Sequence, residues 1–84
     1  MMPGQIALAV VAERSRQAAL WNRQHEHGYG DCSSPGLSEW VKLVVPVEEV
    51  GEVSRALIER DRTAVRRELV EVMAVCHAWL EMPC

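Results

Sequence analysis

Val47-Glu48-Glu49-Val50-Gly51-Glu52-Val53 and, after a short connection, Arg67-Glu68-Leu69-Val70-Glu71-Val72 are the two stretches that decide the fold. Each carries a pair of glutamates spaced i,i+3 among good helix formers: Glu49 with Glu52, and Glu68 with Glu71. Residues three apart on a helix project from nearly the same face. Arg60-Asp61-Arg62-Thr63 reads as the connection between the two helices, and so short a link makes them antiparallel neighbours. Folding back there brings the two pairs to similar heights. Four carboxylates gathered in one small volume repel one another unless a cation sits among them. A hard divalent ion with oxygen ligands, above all Mg²⁺, suits such a group. The competing reading is plain: glutamate is a good helix former and an ordinary solvated surface residue.

Working outward, the second helix is expected over Glu39–Glu59, with Ser38 as its N-cap. Pro46 falls inside it and costs about 3 kcal/mol in a helix interior, so a kink or a break is expected there. The apolar stripe downstream is Val47, Val50, Leu57 and Ile58, with small Gly51 and Ser54 allowing close packing. Glu49 and Glu52 fall on the shoulder of that stripe. The third helix is expected over Thr63–Leu80, stopped by Pro83. Its stripe is Val65, Leu69, Val72, Met73, Cys76, Trp79 and Leu80, with Glu68 at the edge and Glu71 one step further out. A first helix is expected over 4–24, apolar all round from Ile6 to Ala12, which calls for burial on more than one side, as against a second subunit. Residues 25–37, with three glycines and a proline, read as a loop.

Eighty-four residues predict one domain, 1–84, with a small core that favours association. The fold class expected is all-α: a compact antiparallel bundle of three main helices whose core is completed by oligomerisation. Nine Lys and Arg against twelve Asp and Glu give a net charge of −3, which argues against a nucleic-acid polymer as partner. Cys32, Cys76 and Cys84 form no close pair, so a reducing compartment is expected rather than a disulfide framework. The apolar run Ile6–Ala12 is too short to span a bilayer and has no basic segment before it. A soluble, cytoplasmic protein with no membrane partner is the expectation. His25-x-His27 with Asp31 and Cys32 could suggest zinc, but the spacing matches no usual structural site, and a loop at a pocket mouth is the preferred reading. His77 is assigned to the surface or a subunit contact, Cys76 to the core, and Trp40 and Trp79 to packing.

The two glutamate stretches resemble the MazG-like all-α nucleoside triphosphate pyrophosphohydrolases. The family pattern is Glu-x-x-Glu, a spacer with a turn, then Glu-x-x-Asp. Glu49 and Glu52 match the first half, and Glu68 matches the first acid of the second. Residues 47–60 and 66–81 resemble small phage and mobile-element members, and Glu13-Arg14-x-Arg16-Gln17 with Trp21 resembles their first helix. The fourth acid departs from the pattern, being Glu71 instead of Asp. The resemblance implies Mg²⁺-dependent cleavage, with Mn²⁺ as the alternate ion, between the α and β phosphates of a nucleoside triphosphate. It implies Glu49, Glu52, Glu68 and Glu71 as metal ligands, and Glu48 or Glu49 as the general base that orients water. It suggests Trp21 as a wall for the base, a position that also suits a core residue. Lys42, Arg55 and Arg66 are the cations assigned to the phosphates, with Arg62 and Arg67 as further candidates. Members of this type assemble as homodimers or homotetramers, with the site completed by a neighbouring subunit. Glu71 keeps a second function open, a nucleotide-binding or sequestering helical module with weak or no hydrolysis. A plain helical interaction protein with a solvated acidic face is the third.

Overall fold

The computed structural model describes residues 1–24 and 32–82, with side chains for 1–20 and 32–82. Three helices account for nearly all of them: α1 (Pro3–Gln24), α2 (Glu39–Ile58) and α3 (Arg62–Leu80). No strand occurs among the described residues, so the all-α expectation holds. None of the helices is long and apolar enough to cross a membrane. The histidine pair His25 and His27, with Asp31, lies outside the described residues, as does Pro83.

The helix ends follow from local chemistry. Ser38, in extended conformation, accepts a hydrogen bond from the Val41 amide and starts α2. The helix then runs unbroken through Pro46, which removes the amide that would have bonded back to the carbonyl of Lys42. Of the two expectations for Pro46, a break is therefore excluded. At the end of α2, Arg60 turns left-handed (φ 57°), the Arg60 amide donates to the carbonyl of Leu57 and the Asp61 amide to that of Ala56. These two bonds are a Schellman closure, with arginine at the position where glycine is usual. Asp61 is also the N-cap of α3, its carboxylate accepting from the Ala64 amide at 3.0 Å. One residue thus ends one helix and starts the next, so α3 begins at Arg62, one residue earlier than the sequence suggested.

Helix α3 is the middle element, packed against α2 on one side and α1 on the other, while α1 and α2 do not pack on each other. Its buried residues are Ala64, Glu68, Ala74, Val75 and Ala78, mostly small. Small side chains let helix axes approach closely, and Ala74 is completely covered. Cys32, Val75 and Ala78 form the central apolar cluster, with Val45 and Trp79 packed against it. Trp79 is therefore a packing residue, as expected. Gln17 of α1 is buried and donates from Nε2 to the carbonyl of Glu71, while Arg14 holds Glu81 at 3.2 Å.

The large apolar residues do not occupy this core. Val47, Val50, Leu57 and Ile58, the stripe expected to face inward on α2, are all exposed. The face α2 turns to α3 is instead built from Lys42, Val45, Glu49, Val53 and Ala56. On α3, Leu69, Met73, Cys76 and Leu80 are likewise exposed, so Cys76 is not a core residue. Trp40, expected to be a packing residue, is 81% exposed among the described residues. The physical reason is common to all of these. A stripe of large side chains marks a face that wants burial, not the partner that buries it, and one chain of three helices covers only some of its faces.

Candidate functional site

The two glutamate pairs meet where α2 lies against α3. Glu49 and Glu52 come from α2, Glu68 and Glu71 from α3, and one carboxylate oxygen of each lies within 4.8 Å of all the others. Convergence follows from the short turn at Glu59–Asp61 and from the inward placement of Glu49, which sits on the contact face and not on its shoulder. The four differ in exposure. Glu68 is nearly covered, Glu49 and Glu71 are half-buried, and Glu52 is open to solvent.

Electrostatics divides them further. Desolvation, with the neighbouring Glu71 and Glu52, pushes the Glu49 carboxyl up to about 8. Glu52 is raised chiefly by its hydrogen bond to Glu68, and Glu71 by burial and by Glu68. Burial acts to raise Glu68 as well, but hydrogen bonds from Glu71 and Glu52, together with Arg67, outweigh it and hold Glu68 below its ordinary range. The set behaves as one titrating unit in which ionised Glu68 is served by protons held on its neighbours. Ionised carboxylates accept and do not donate. Glu49 Oε2 and Glu68 Oε2 are buried without a hydrogen-bond partner. Two orphaned buried oxygens inside a ring of four acids call for either shared protons or a cation. An all-oxygen, all-carboxylate donor set suits Mg²⁺ or Mn²⁺ among biological ions.

Basic groups rim the cluster on the α1 side. Arg67 Nη2 is 3.5 Å from Glu68 Oε1, and Arg16 Nη2 is 4.0 Å from Glu71 Oε1. Arg16 is itself held by a two-pronged bond to Glu13, 2.6 Å at each prong. Between α1 and α3 lies an open groove of about 370 Å³, lined by Ala9, Glu13, Arg16, Arg66, Arg67 and Val70, among others. It is a shallow, partly basic trough beside the acids.

The other candidates spread out from this centre. Glu48 is exposed and is not one of the converging acids. Arg66 lines the groove. Arg55 is exposed in the last turn of α2, close enough to Glu52 to favour its ionised form. Lys42 is completely buried, with Nζ bonded to Met82 Sδ near the far end of α3. Trp21 belongs to the last turns of α1, but its side chain lies outside the described residues. The i,i+3 spacing of Glu13 and Arg16 was the available signal for the arginine that neighbours Glu71, and nothing in the sequence marked Gln17 as the clamp on the Glu71 backbone. No protein-family model, curated protein or solved structure matches the chain.

Proposed function

We infer that this chain is a MazG-like, Mg²⁺-dependent nucleoside triphosphate pyrophosphohydrolase, cleaving its substrate to nucleoside monophosphate and pyrophosphate. The observation that supports the reading above all others is the convergence of Glu49, Glu52, Glu68 and Glu71 within 4.8 Å, two of them with orphaned buried oxygens. So many carboxylates on one spot cost stability, and an expensive polar cluster is a mark of function. In this reading the four acids hold Mg²⁺, or Mn²⁺ in its place. The bound ion supplies charge neutralisation for the phosphates and lowers the pKa of water.

The protein's own groups do the rest. A triphosphate carries several negative charges and would be repelled by the acids alone, so cations beside them are required. Arg16, Arg66 and Arg67, along the groove next to Glu68 and Glu71, meet that requirement. The Glu13 clamp presets Arg16 and reduces the entropy lost on binding an anion. If one acid orients the water as general base instead of holding the ion, Glu49, a half-buried member of the cluster, is better situated for it than Glu48, which stands outside the cluster. The longer Glu71 still reaches the other three, which favours its service as a ligand in place of the usual aspartate.

A nucleotide-sequestering module is the second reading, favoured by the same departure at Glu71, since Mg²⁺ tolerates little distortion of its octahedron. A pyrophosphate-release screen across common and modified nucleoside triphosphates, with Mg²⁺ and with Mn²⁺, separates the readings when run beside thermal-shift binding. Turnover supports the enzyme. A nucleotide-dependent thermal shift with no pyrophosphate supports sequestration. Neither signal with any nucleotide or ion returns the acids to a solvated face.

A further inference from the structure

Lys42 is the largest side chain to be wholly covered among the described residues. An ammonium group carries three N–H donors and needs strong acceptors once water is removed. Among the described residues the only partner of Lys42 Nζ is Met82 Sδ, and no carboxylate pairs with it. A thioether is a weak acceptor, so a buried cation is left poorly served. The contact also lies where α2 lacks a rung of its own ladder, because Pro46 leaves the Lys42 carbonyl without its helical donor. Ahead of Pro46, Glu39, Trp40, Val41, Leu43 and Val44 are exposed. Only Lys42 and Val45 turn the front of the helix toward the rest of the chain. Val45 packs against the Cys32–Val75–Ala78 cluster, and Lys42 bonds to Met82, one residue beyond the α3 C-cap Glu81.

We propose that Met82 is a site of reversible oxidation by hydrogen peroxide, and that its sulfoxide oxygen becomes the acceptor Lys42 lacks, locking the front of α2 to the end of α3. Met82 is half-buried rather than enclosed, so a small oxidant reaches it. One sulfur lone pair is engaged by Lys42, and the other attacks a peroxide oxygen. The O–O bond breaks, an S–O bond forms, and the proton of the transferred hydroxyl passes to the departing oxygen, which leaves as water. Sulfur gives up two electrons and the peroxide takes them. The new oxygen is strongly polar, and a hydrogen bond with an ionised donor is about twice as strong as one between neutral groups. Met82 lies past Leu80, the last residue of α3, where the backbone can yield to admit the extra atom. Met1, Met2 and Met73 stand 48–69% exposed and supply the comparison, since oxygens added there meet solvent. Sulfoxide usually disrupts a packed region, but at Met82 it satisfies a buried charge. The lock forms whether or not the four acids hold a metal.

Graded hydrogen peroxide, followed by peptide mass mapping and thermal melts at fixed protein concentration, tests the proposal on the full chain, on Met82→Leu and on Lys42→Met. Met82→Leu keeps every other oxidisable side chain, so the difference between it and the unaltered chain belongs to Met82. Mapping should find one added oxygen on Met82. The melting temperature of the unaltered chain should then shift upward relative to treated Met82→Leu by about 5 °C. A methionine sulfoxide reductase with dithiothreitol should reverse the shift. Hydrogen exchange at the amides of residues 43–45 should slow by about tenfold, and in α1 much less. In Lys42→Met the sign should invert, because the sulfoxide meets no donor. Met82→Gln needs no oxidant, offers an amide oxygen to Nζ, and should melt above Met82→Leu by a similar amount. Met82 left unoxidised when Met73 is fully converted overturns the proposal. So does an oxidation that lowers the melting temperature or leaves it unchanged relative to Met82→Leu, or a Lys42→Met chain that responds as the unaltered one does. Met82→Gln no more stable than Met82→Leu overturns it as well.

Discussion

Replacing Glu49 by glutamine isolates the cost of the acid cluster. Two unit charges 4.8 Å apart repel by about 3.5 kcal/mol at an effective dielectric of about 20. Glu49 is half exposed, so solvent screening reduces that figure, and about 1–2 kcal/mol is a reasonable net repulsion with all four acids ionised. The pH dependence has a definite sign. The Glu49 carboxyl titrates near 8 in the folded chain, against an ordinary 4.5. Between those values the folded state keeps a proton that the unfolded state has released, so stability falls as pH rises through the window and levels off above it. Glutamine cannot ionise and removes this dependence. In thermal melts at fixed protein concentration, pH 8.5 and excess chelator, Glu49→Gln should melt higher than the unaltered chain by about 5–10 °C, as 1–2 kcal/mol implies for a domain of this size. Near pH 5 the two should melt within a few degrees of each other. Added Mg²⁺ should raise the unaltered chain and shift the variant far less, because a ligand has been lost. A variant that melts lower at pH 8.5 in chelator would refute the repulsion argument and mark Glu49 as an ordinary packed or solvated residue.

Other consequences concern the turn and the groove. Arg60→Gly should stabilise the chain by about 1 kcal/mol, read as a higher urea midpoint at unchanged slope, since Arg60 alone among the described non-glycine residues holds a positive φ. Asp61→Ala should destabilise it by about 1 kcal/mol through loss of the α3 N-cap, measured the same way. Arg16→Ala should raise KM for a nucleoside triphosphate several-fold with a smaller change in kcat, because its role is to hold phosphate beside the acids; an unchanged KM removes Arg16 from the binding surface.

The helices themselves were legible, and for identifiable reasons. Ser38 before an apolar run announced α2, and the short polar link at 60–63 announced an antiparallel turn. The i,i+3 spacing of the glutamates, read with that turn, sufficed to bring the four acids together. What failed was the assignment of faces. Val47, Val50, Leu57 and Ile58 form the apolar stripe of α2 beyond Pro46, and periodicity alone points them inward. The covered positions are instead Ala56, with half-buried Val53 and Glu49, on α2, and Ala64, Glu68 and Val75 on α3, because small side chains and acids fit where axes approach closely. Lys42 was illegible for the opposite reason: a lone lysine in an apolar run reads as a solvated cation, yet its long stem lies wholly buried against Met82. The left-handed Arg60 gave no signal, since arginine has no preference for that conformation. Asp61 did give one, as an acid just before a helical run, and its N-cap shifts the start of α3 by only one residue.

Pyrophosphate release by the unaltered chain and by Glu68→Gln, across a panel of nucleoside triphosphates with Mg²⁺, tests the central claim most directly. Glu68 is the most buried of the four acids, holds an orphaned oxygen, and its amide variant relieves repulsion, so the fold should survive the change. The account predicts release of pyrophosphate from at least one triphosphate, dependent on the divalent ion and reduced on the order of 100-fold or more in the variant. Release that is equal in both proteins, or absent from both with every nucleotide and ion, would contradict it.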